Sequence, residues 1–371
     1  MLLFQLKTRI HSVETFAQFA DEFGLNEQDL VLTNDFLYQP YMAKCGLKCH
    51  FVMQEHYGTG EPSDEMMNAI LKDVKGVPYK RVIAIGGGTV IDIAKLFVLR
   101  NITDVLDAFD RKMPLEKDKY FIAIPTTCGT GSEVTNVSIA EIKCRHTKLG
   151  LADDTIVPDD AIIIPELLHG LPFRFYAAAS IDALIHAMES YLSPRSNPYS
   201  KIFSVAAIQS ILPVFKEIAQ STPEIRHQYA KEMLIAANMA GIAFGNVGVG
   251  AVHALSYPLG GNYHVPHGES NYQFLTEVFK LYHHKEPKGA IRQLEGLLAE
   301  QLKCEVEEVY DALDQLLGQL IERKPLKEYG MKPEEQHEFA VAVLETQQRL
   351  LKNNYVALSL EEVEGVYNRL Y

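Results

Sequence analysis

RVIAIGGGTVIDIAK, residues 81–95, decides the fold. Val82 to Ile85 form a short apolar run of the kind buried on both faces of a parallel sheet. Gly86, Gly87 and Gly88 end the run, and Thr89 to Lys95 continue with helical spacing. Glycines at a strand-to-helix turn let the backbone approach a ligand and aim N–H groups at phosphate, although the same turn also serves a purely structural role. The stretch is not the GxGxxG fingerprint, and it is not a P-loop because no GK[ST] follows. Lys95 lies two helical turns too far on to grip a transferred phosphoryl group.

The alternation continues on both sides. DLVLTND (29–35), CHFVMQEH (49–56), KYFIAIPTT (119–127) and AIIIP (161–165) read as strands, and SDEMMNAILKDV (63–74) reads as a helix. Strand and helix in turn predict a mostly parallel, Rossmann-like sheet with helices on both faces, over residues 1–170. The strand at 119–125 runs into TTCGTGSEVT (126–135), a second glycine-containing loop that offers Thr126, Thr127, Thr130 and Ser132 hydroxyls. Both loops leave strand ends, where ligands of such sheets bind, and two together favour a dinucleotide over a structural turn. Asp35, after the first of these strands, is a candidate acceptor for ribose hydroxyls.

Beyond about residue 170 almost everything has helical period: 175–192, 197–219, 228–244 and 305–322. A second, all-helical domain is expected over 171–371, entered through LPFRF, where Pro172 breaks the chain before a new helix. A site in the cleft between two such domains is expected. The formal net charge of −13 argues against nucleic-acid partners and anionic membrane surfaces. No run of roughly 18 uncharged apolar residues predicts a membrane span. The N-terminus MLLFQLKTRI lacks a signal-peptide core, and five cysteines, an odd count, suit reduced thiols in a cytoplasmic protein. Cys45 and Cys49 have no second pair at zinc-site spacing.

IDALIHAMESY (181–191) puts Asp182 and His186 at i and i+4, on one helical face among apolar residues. Such a pair is either a buried hydrogen-bonded pair or part of a cation site, and in both cases burial demands a partner. GAVHALSYPLGGNYHVPHGES (250–270) can supply one: His253 on a short helix after a glycine-rich turn, and His267 fourteen positions on. One carboxylate and three imidazoles suit Fe²⁺ or Zn²⁺ with a position left open for substrate.

Together, IGGGTVIDIAK, PTTCGTGSEVT, SIDALIHAMESY and AVHALSYPLGGNYHVPHG resemble the motifs of the iron-dependent (group III) alcohol dehydrogenases, in the same order and from about residue 30 to about residue 270. The resemblance implies a dehydroquinate synthase-like fold and hydride transfer between NAD(H) and a primary alcohol or aldehyde. It assigns the metal to Asp182, His186, His253 and His267. It assigns the dinucleotide pyrophosphate to Gly86, Gly87, Gly88 and Asp92, with Thr89 where serine is commoner. Thr126, Thr127 and Thr130 fall in the family's second cofactor loop, and Lys148 falls where a lysine reaches the cofactor.

Two departures bear on the substrate. Tyr257 stands where many family members carry a second histidine, and His264 stands in the turn before PHG. Both are candidates for relaying the hydroxyl proton. The PLGGNYHVPHGES version of the motif implies 4-hydroxybutyrate and succinic semialdehyde as the substrate pair. Another small alcohol or diol, of the butanol, 1,3-propanediol or glycerol type, is the alternative, and a metal-free dinucleotide sensor is the non-enzyme alternative. Asn34 aligns with the adenine-ribose aspartate and Asp35 follows it, so NAD is favoured over NADP, because a carboxylate there repels a 2′-phosphate. A homo-oligomer, such as a dimer, is expected by the same resemblance.

Overall fold

The computed structural model describes residues 2–145 and 147–371. They fall into two compact units, Leu6–Leu171 and Pro172–Tyr371, the second joined by the N-terminal residues through Gln5.

The first unit contains strands β1 (Arg9–Ser12), β2 (Asp29–Thr33), β3 (His50–Met53), β4 (Arg81–Gly86), β5 (Tyr120–Pro125), β6 (Val137–Ile142), β7 (Thr147–Ala152) and β8 (Asp160–Ile163). Six of them form one sheet in the order β1-β8-β5-β4-β2-β3, with every pairing parallel. Its helices are α1 (Phe16–Glu22), α2 (Asp35–Leu37), α3 (Asp64–Asp73), α4 (Gly88–Leu96) and α5 (Val105–Phe109). Alternate residues of the strands feed two cores. Leu30, Leu32, Val82, Ala84, Phe121 and Ala123 pack with Met67 and Ile70 of α3 and Ile91 and Ala94 of α4. Val31, Ile83, Ile85, Ile122 and Ile124 pack with Phe16 and Phe19 of α1. Burial on both faces is why these strands read as continuous apolar runs.

From β2 the chain steps outward to β3, then returns to β4 and continues the other way through β5 to β8. The β2/β4 junction is therefore a topological switch point, and the carboxyl ends there lead into Asp35 and the glycine turn.

Two features differ from the expectation. β1 joins the sheet beside β8, although RIHS is mostly exposed and carries little apolar signal. β6 and β7 form a separate antiparallel hairpin; VSIAEI alternates in burial at period two, while Lys148 and Gly150 dilute the signal in β7.

The second unit begins with α6 (Phe173–Leu192), α7 (Pro198–Gln220), α8 (Ala230–Val247), α9 (Ala251–Tyr263) and α10 (His267–Lys285). Pro172 stands at the N-cap of α6, where a missing N–H costs nothing. By length and composition α7 is long and apolar enough to cross a membrane. It packs with α6 and α8, burying Ile208, Ile211, Leu212 and Phe215, as a core helix does. Where a short helix around His253 is expected, α9 runs on to Tyr263 through Pro258, which forgoes one intrahelical N–H bond.

Candidate metal centre and dinucleotide loops

α6 is buried almost throughout, so Asp182 and His186 one turn apart are both desolvated. Isolated, neither would tolerate this. α9 and α10 bring the partners. One donor atom from each of Asp182, His186, His253 and His267 lies within 4.8 Å of the others. His253 Nε2 is 3.0 Å from His186 Nε2 and 3.6 Å from Asp182 Oδ1, and His267 Nε2 is 4.0 Å from Asp182 Oδ1. Ligands about 2.1 Å from a tetrahedral ion are separated by roughly 3.4 Å, so the set has the spacing of a coordination shell. Burial raises the Asp182 pKa, but His186, His267 and His253, with an Asn271 hydrogen bond, outweigh it and hold the carboxyl below its usual range.

The surrounding residues fix the donors. Glu189, one turn after His186 and itself buried, places Oε2 2.6 Å from His253 Nδ1. A carboxylate only accepts, so the ring proton sits on Nδ1 and Nε2 keeps its lone pair for a cation. Glu189 Oε1 also accepts from the Val252 N–H at 2.8 Å, and Asn354 Oδ1 accepts from the Ala251 N–H at 3.0 Å. Two orphan donors at the start of α9 are thereby satisfied, and the helix that carries His253 is fixed to α6. On α10, Asn271 Nδ2 donates to Asp182 Oδ1 at 2.7 Å and lies 3.2 Å from His267 Nε2. Ser256 bonds the other end of the same amide. The His186 ring stacks on Phe244 with centroids 4.2 Å apart.

The glycine of the PHG turn has a steric reason. A Cβ on Gly268 would lie 2.3 Å from the Ala178 carbonyl oxygen, so only glycine lets α10 start against α6 with His267 facing Asp182. Three of the donors are almost fully buried, whereas the His267 side chain is 39% exposed. The open side of the centre is therefore the His267 side, towards Tyr257, whose ring centroid is 6.5 Å from that of His267. His264 caps α9 in the left-handed region (φ 54°) and is exposed. Of the two proton-relay candidates, the structure places Tyr257 beside a metal donor; His264 has no hydrogen bond among the described residues.

The dinucleotide candidates gather in the first unit. Gly86 ends β4, Gly87 is the N-cap of α4 and Gly88 its first residue, so free N–H groups open at the turn. The second loop packs directly on it: a Cβ on Gly88 would lie 2.9 Å from Thr130 Cγ2, and one on Gly87 would lie 3.3 Å from Thr127 Cγ2. The Thr126 N–H donates to Gly86 O at 3.1 Å. Thr89 does not face the turn's mouth with a free hydroxyl, since Oγ1 donates to Gly60 O at 3.1 Å. Lys148, on β7, pairs with Glu61 at 2.5 Å. Asp35 pairs with His56 at 2.7 Å and its N–H donates to Glu55, to which buried Asn34 also donates.

Asp92, expected in the pyrophosphate set, is engaged within the protein on both carboxylate oxygens. Its Oδ1 accepts from Ser132 and from Lys95 Nζ, and its Oδ2 accepts from the Ile139 N–H at 2.9 Å. Both oxygens are thus engaged with the second loop and β6, and a free carboxylate facing a pyrophosphate would repel it. Lys95, fully buried, continues the brace to Ser132 Oγ at 2.6 Å, Thr135 Oγ1 at 3.2 Å and Val137 O at 2.5 Å. Burial lowers the Lys95 pKa, with Asp92 opposing.

Sequence reasoning missed Glu189, Asn271 and the Lys95 brace. Glu189 falls at i+3 from His186 and Asn271 at i+4 from His267, so helical spacing alone could have flagged both.

Known proteins resemble this chain in sequence and fold. Residues 8–165 match the iron-containing alcohol dehydrogenase family, and residues 176–371 match the C-terminal part of the Fe-containing alcohol dehydrogenase family. A 4-hydroxybutyrate dehydrogenase from Clostridium kluyveri is 52% identical over 371 residues, covering 100% of both chains. The structure of an iron-containing alcohol dehydrogenase from Thermococcus thioreducens superposes with a TM-score of 0.81 at 25% identity, covering 99% of each chain. A sulfoacetaldehyde reductase from Bifidobacterium kashiwanohense, in complex with NAD+, has a TM-score of 0.86 at 22% identity, covering 100% of this chain and 99% of that one.

Proposed function

The chain belongs to the iron-containing alcohol dehydrogenase family, and from that premise we propose that it interconverts 4-hydroxybutyrate and succinic semialdehyde with NAD(H), using Fe²⁺ at the Asp182 centre. The observation that carries the substrate is the 52% identity to a 4-hydroxybutyrate dehydrogenase along the whole of both chains. The observation that carries the metal is the spacing of its four donors, one carboxylate and three imidazoles.

Fe²⁺ bound there supplies Lewis-acid polarisation of an alcohol or aldehyde oxygen. The chain does the rest. Glu189 keeps the His253 lone pair aimed at the cation, and Asn271 holds Asp182. The apolar wall of α6 and the Phe244 ring exclude water behind the donors. Tyr257, on the open side beside His267, takes and returns the hydroxyl proton in this reading. Gly86 to Gly88 and the Thr126–Thr130 loop bind the pyrophosphate through N–H groups and hydroxyls, while the Asp92–Lys95–Ser132 brace holds the two loops in register. NAD is favoured over NADP because Asp35, after β2, and Glu55, after β3 and bonded to the Asp35 N–H, would meet a 2′-phosphate there.

The test is NADH-linked reduction by anaerobically purified protein, with Fe²⁺ or Zn²⁺ restored, comparing succinic semialdehyde, butyraldehyde and the alcohol series. A strong preference for succinic semialdehyde is expected. Equal use of butyraldehyde would remove the hydroxy-acid assignment and leave an alcohol dehydrogenase of another small substrate.

A further inference from the structure

A 4-hydroxybutyrate enzyme must recognise a carboxylate at the end of the substrate remote from the reacting carbon. In a chain with a net charge of −13, that requires local positive charge kept free of the protein's own acids. Several arginines of the helical unit are engaged with its own acids. Arg174, at the start of α6, grips Glu269 with Nη2 at 2.9 and 3.0 Å. Arg323 pairs with Asp314, and Arg369 pairs with Glu277.

Arg349 is different. It lies on the short helix Gln348–Leu351, is exposed, and has no ion pair among the described residues. Its one side-chain hydrogen bond is from Nη2 to the Tyr257 hydroxyl, at 3.5 Å. Tyr257 in turn is the aromatic neighbour of His267, the donor on the open side of the centre. The guanidinium and a metal donor are therefore both neighbours of the Tyr257 side chain.

The segment carrying Arg349 is also tied to the metal centre. Its carbonyl accepts from Asn353 Nδ2 at 3.2 Å, and a Cβ on Gly248 would lie 2.3 Å from that same Nδ2. Next to it, Asn354 caps the Ala251 N–H at the start of α9, two residues before His253. The turn that presents the arginine and the helix that presents a metal donor are thus locked into one register.

Resting on the 4-hydroxybutyrate reading, we infer that Arg349 binds the substrate carboxylate and sets the preference for ω-hydroxy acids over unsubstituted alcohols. A planar guanidinium offers a carboxylate two parallel N–H donors, and a four-carbon chain laid along the Tyr257 ring brings its other end to the His267 side. The weak 3.5 Å contact to Tyr257 leaves the guanidinium available to a ligand.

Steady-state kinetics of the wild type, Arg349→Ala and Arg349→Lys on succinic semialdehyde and butyraldehyde test this, together with inhibition by succinate. In Arg349→Ala, the ratio of kcat/KM for succinic semialdehyde to that for butyraldehyde should fall about 30-fold, through KM rather than kcat. The succinate inhibition constant should rise by a similar factor, and Arg349→Lys should recover part of both. If the wild type prefers succinic semialdehyde and Arg349→Ala retains the preference, or loses both substrates equally, the assignment of Arg349 is overturned and the hydroxy-acid reading stands. If the wild type shows no preference, the reading itself fails and the assignment with it.

Discussion

At the metal centre every decisive contact is made by a side chain, and each donor has a second side chain behind it. Glu189 stands behind His253, Asn271 behind Asp182, and Phe244 behind His186. At the dinucleotide turn the decisive feature is missing side chains, because any Cβ on Gly86 or Gly88 would enter Val90 or Thr130. The first region suits a transition-metal cation that demands specific donor atoms; the second is suited to a long polyanion met by backbone N–H groups. They therefore fail differently. A metal site loses function when a donor goes, and a backbone cradle loses it when something is added.

The strongest way to break that contrast is Asp182→Ala. Removing the one carboxylate leaves three imidazoles, and both bound iron and turnover should be lost, the latter by more than about 10³-fold. Metal content and kcat measured on the same folded sample decide it. Full metal occupancy in the variant would show that the imidazoles suffice.

Lys95→Met comes next and acts on the other region. It removes the buried cation that joins Asp92 to Ser132, Thr135 and Val137, and strands a carboxylate with only 14% of its side chain exposed. Breaking such a pair costs about 3–5 kcal/mol, which urea unfolding would read directly. The affinity for NAD(H) should fall as the second loop loosens. Unchanged stability would mean that the brace contributes no more than an apolar side chain would.

Glu189→Gln is smaller. Its amide can still approach His253, but it no longer enforces the tautomer that frees Nε2, so iron affinity should drop by about 10- to 100-fold with the fold intact. Competition with a chelator of known affinity measures this.

The two regions were not equally legible. The metal donors announce themselves by residue type and by i, i+4 spacing inside apolar helices, because a buried Asp or His without a purpose is costly. The glycine turn is legible by composition, yet the reason for Gly87 and Gly88 is a neighbour from the second loop, Thr127 or Thr130, that local pattern does not name. The partners of Asp92 were illegible for the same reason: Ser132 and Ile139 lie 40 and 47 residues away. Strands buried on both faces were readable, whereas β1 and the β6–β7 hairpin, half exposed and interrupted by polar residues or glycine, were not. Arg349 lay beyond reach, since nothing in QQRLL distinguishes it from a solvated helix arginine until Tyr257 is placed beside it.

The smallest predicted effect tests the cradle from within. In Gly88→Ala the new methyl meets Thr130 Cγ2 at 2.9 Å, and a threonine methyl so close to the backbone has little room to yield. Overpacking of this kind costs about 1–3 kcal/mol. If that strain displaces the second loop, KM for NADH should rise by about 10-fold. Thr130→Ser removes the offending methyl but keeps the hydroxyl that accepts the Ser132 N–H at 3.3 Å. The double variant should therefore recover most of the loss, whereas the two single changes would predict an additive one. Recovery would place the requirement for glycine in loop-on-loop packing. Persistent loss in the double variant would place it in direct approach of the dinucleotide to the Gly88 backbone. Either result separates the two demands a bare glycine meets at this turn, fit against the second loop and approach of a ligand to the backbone.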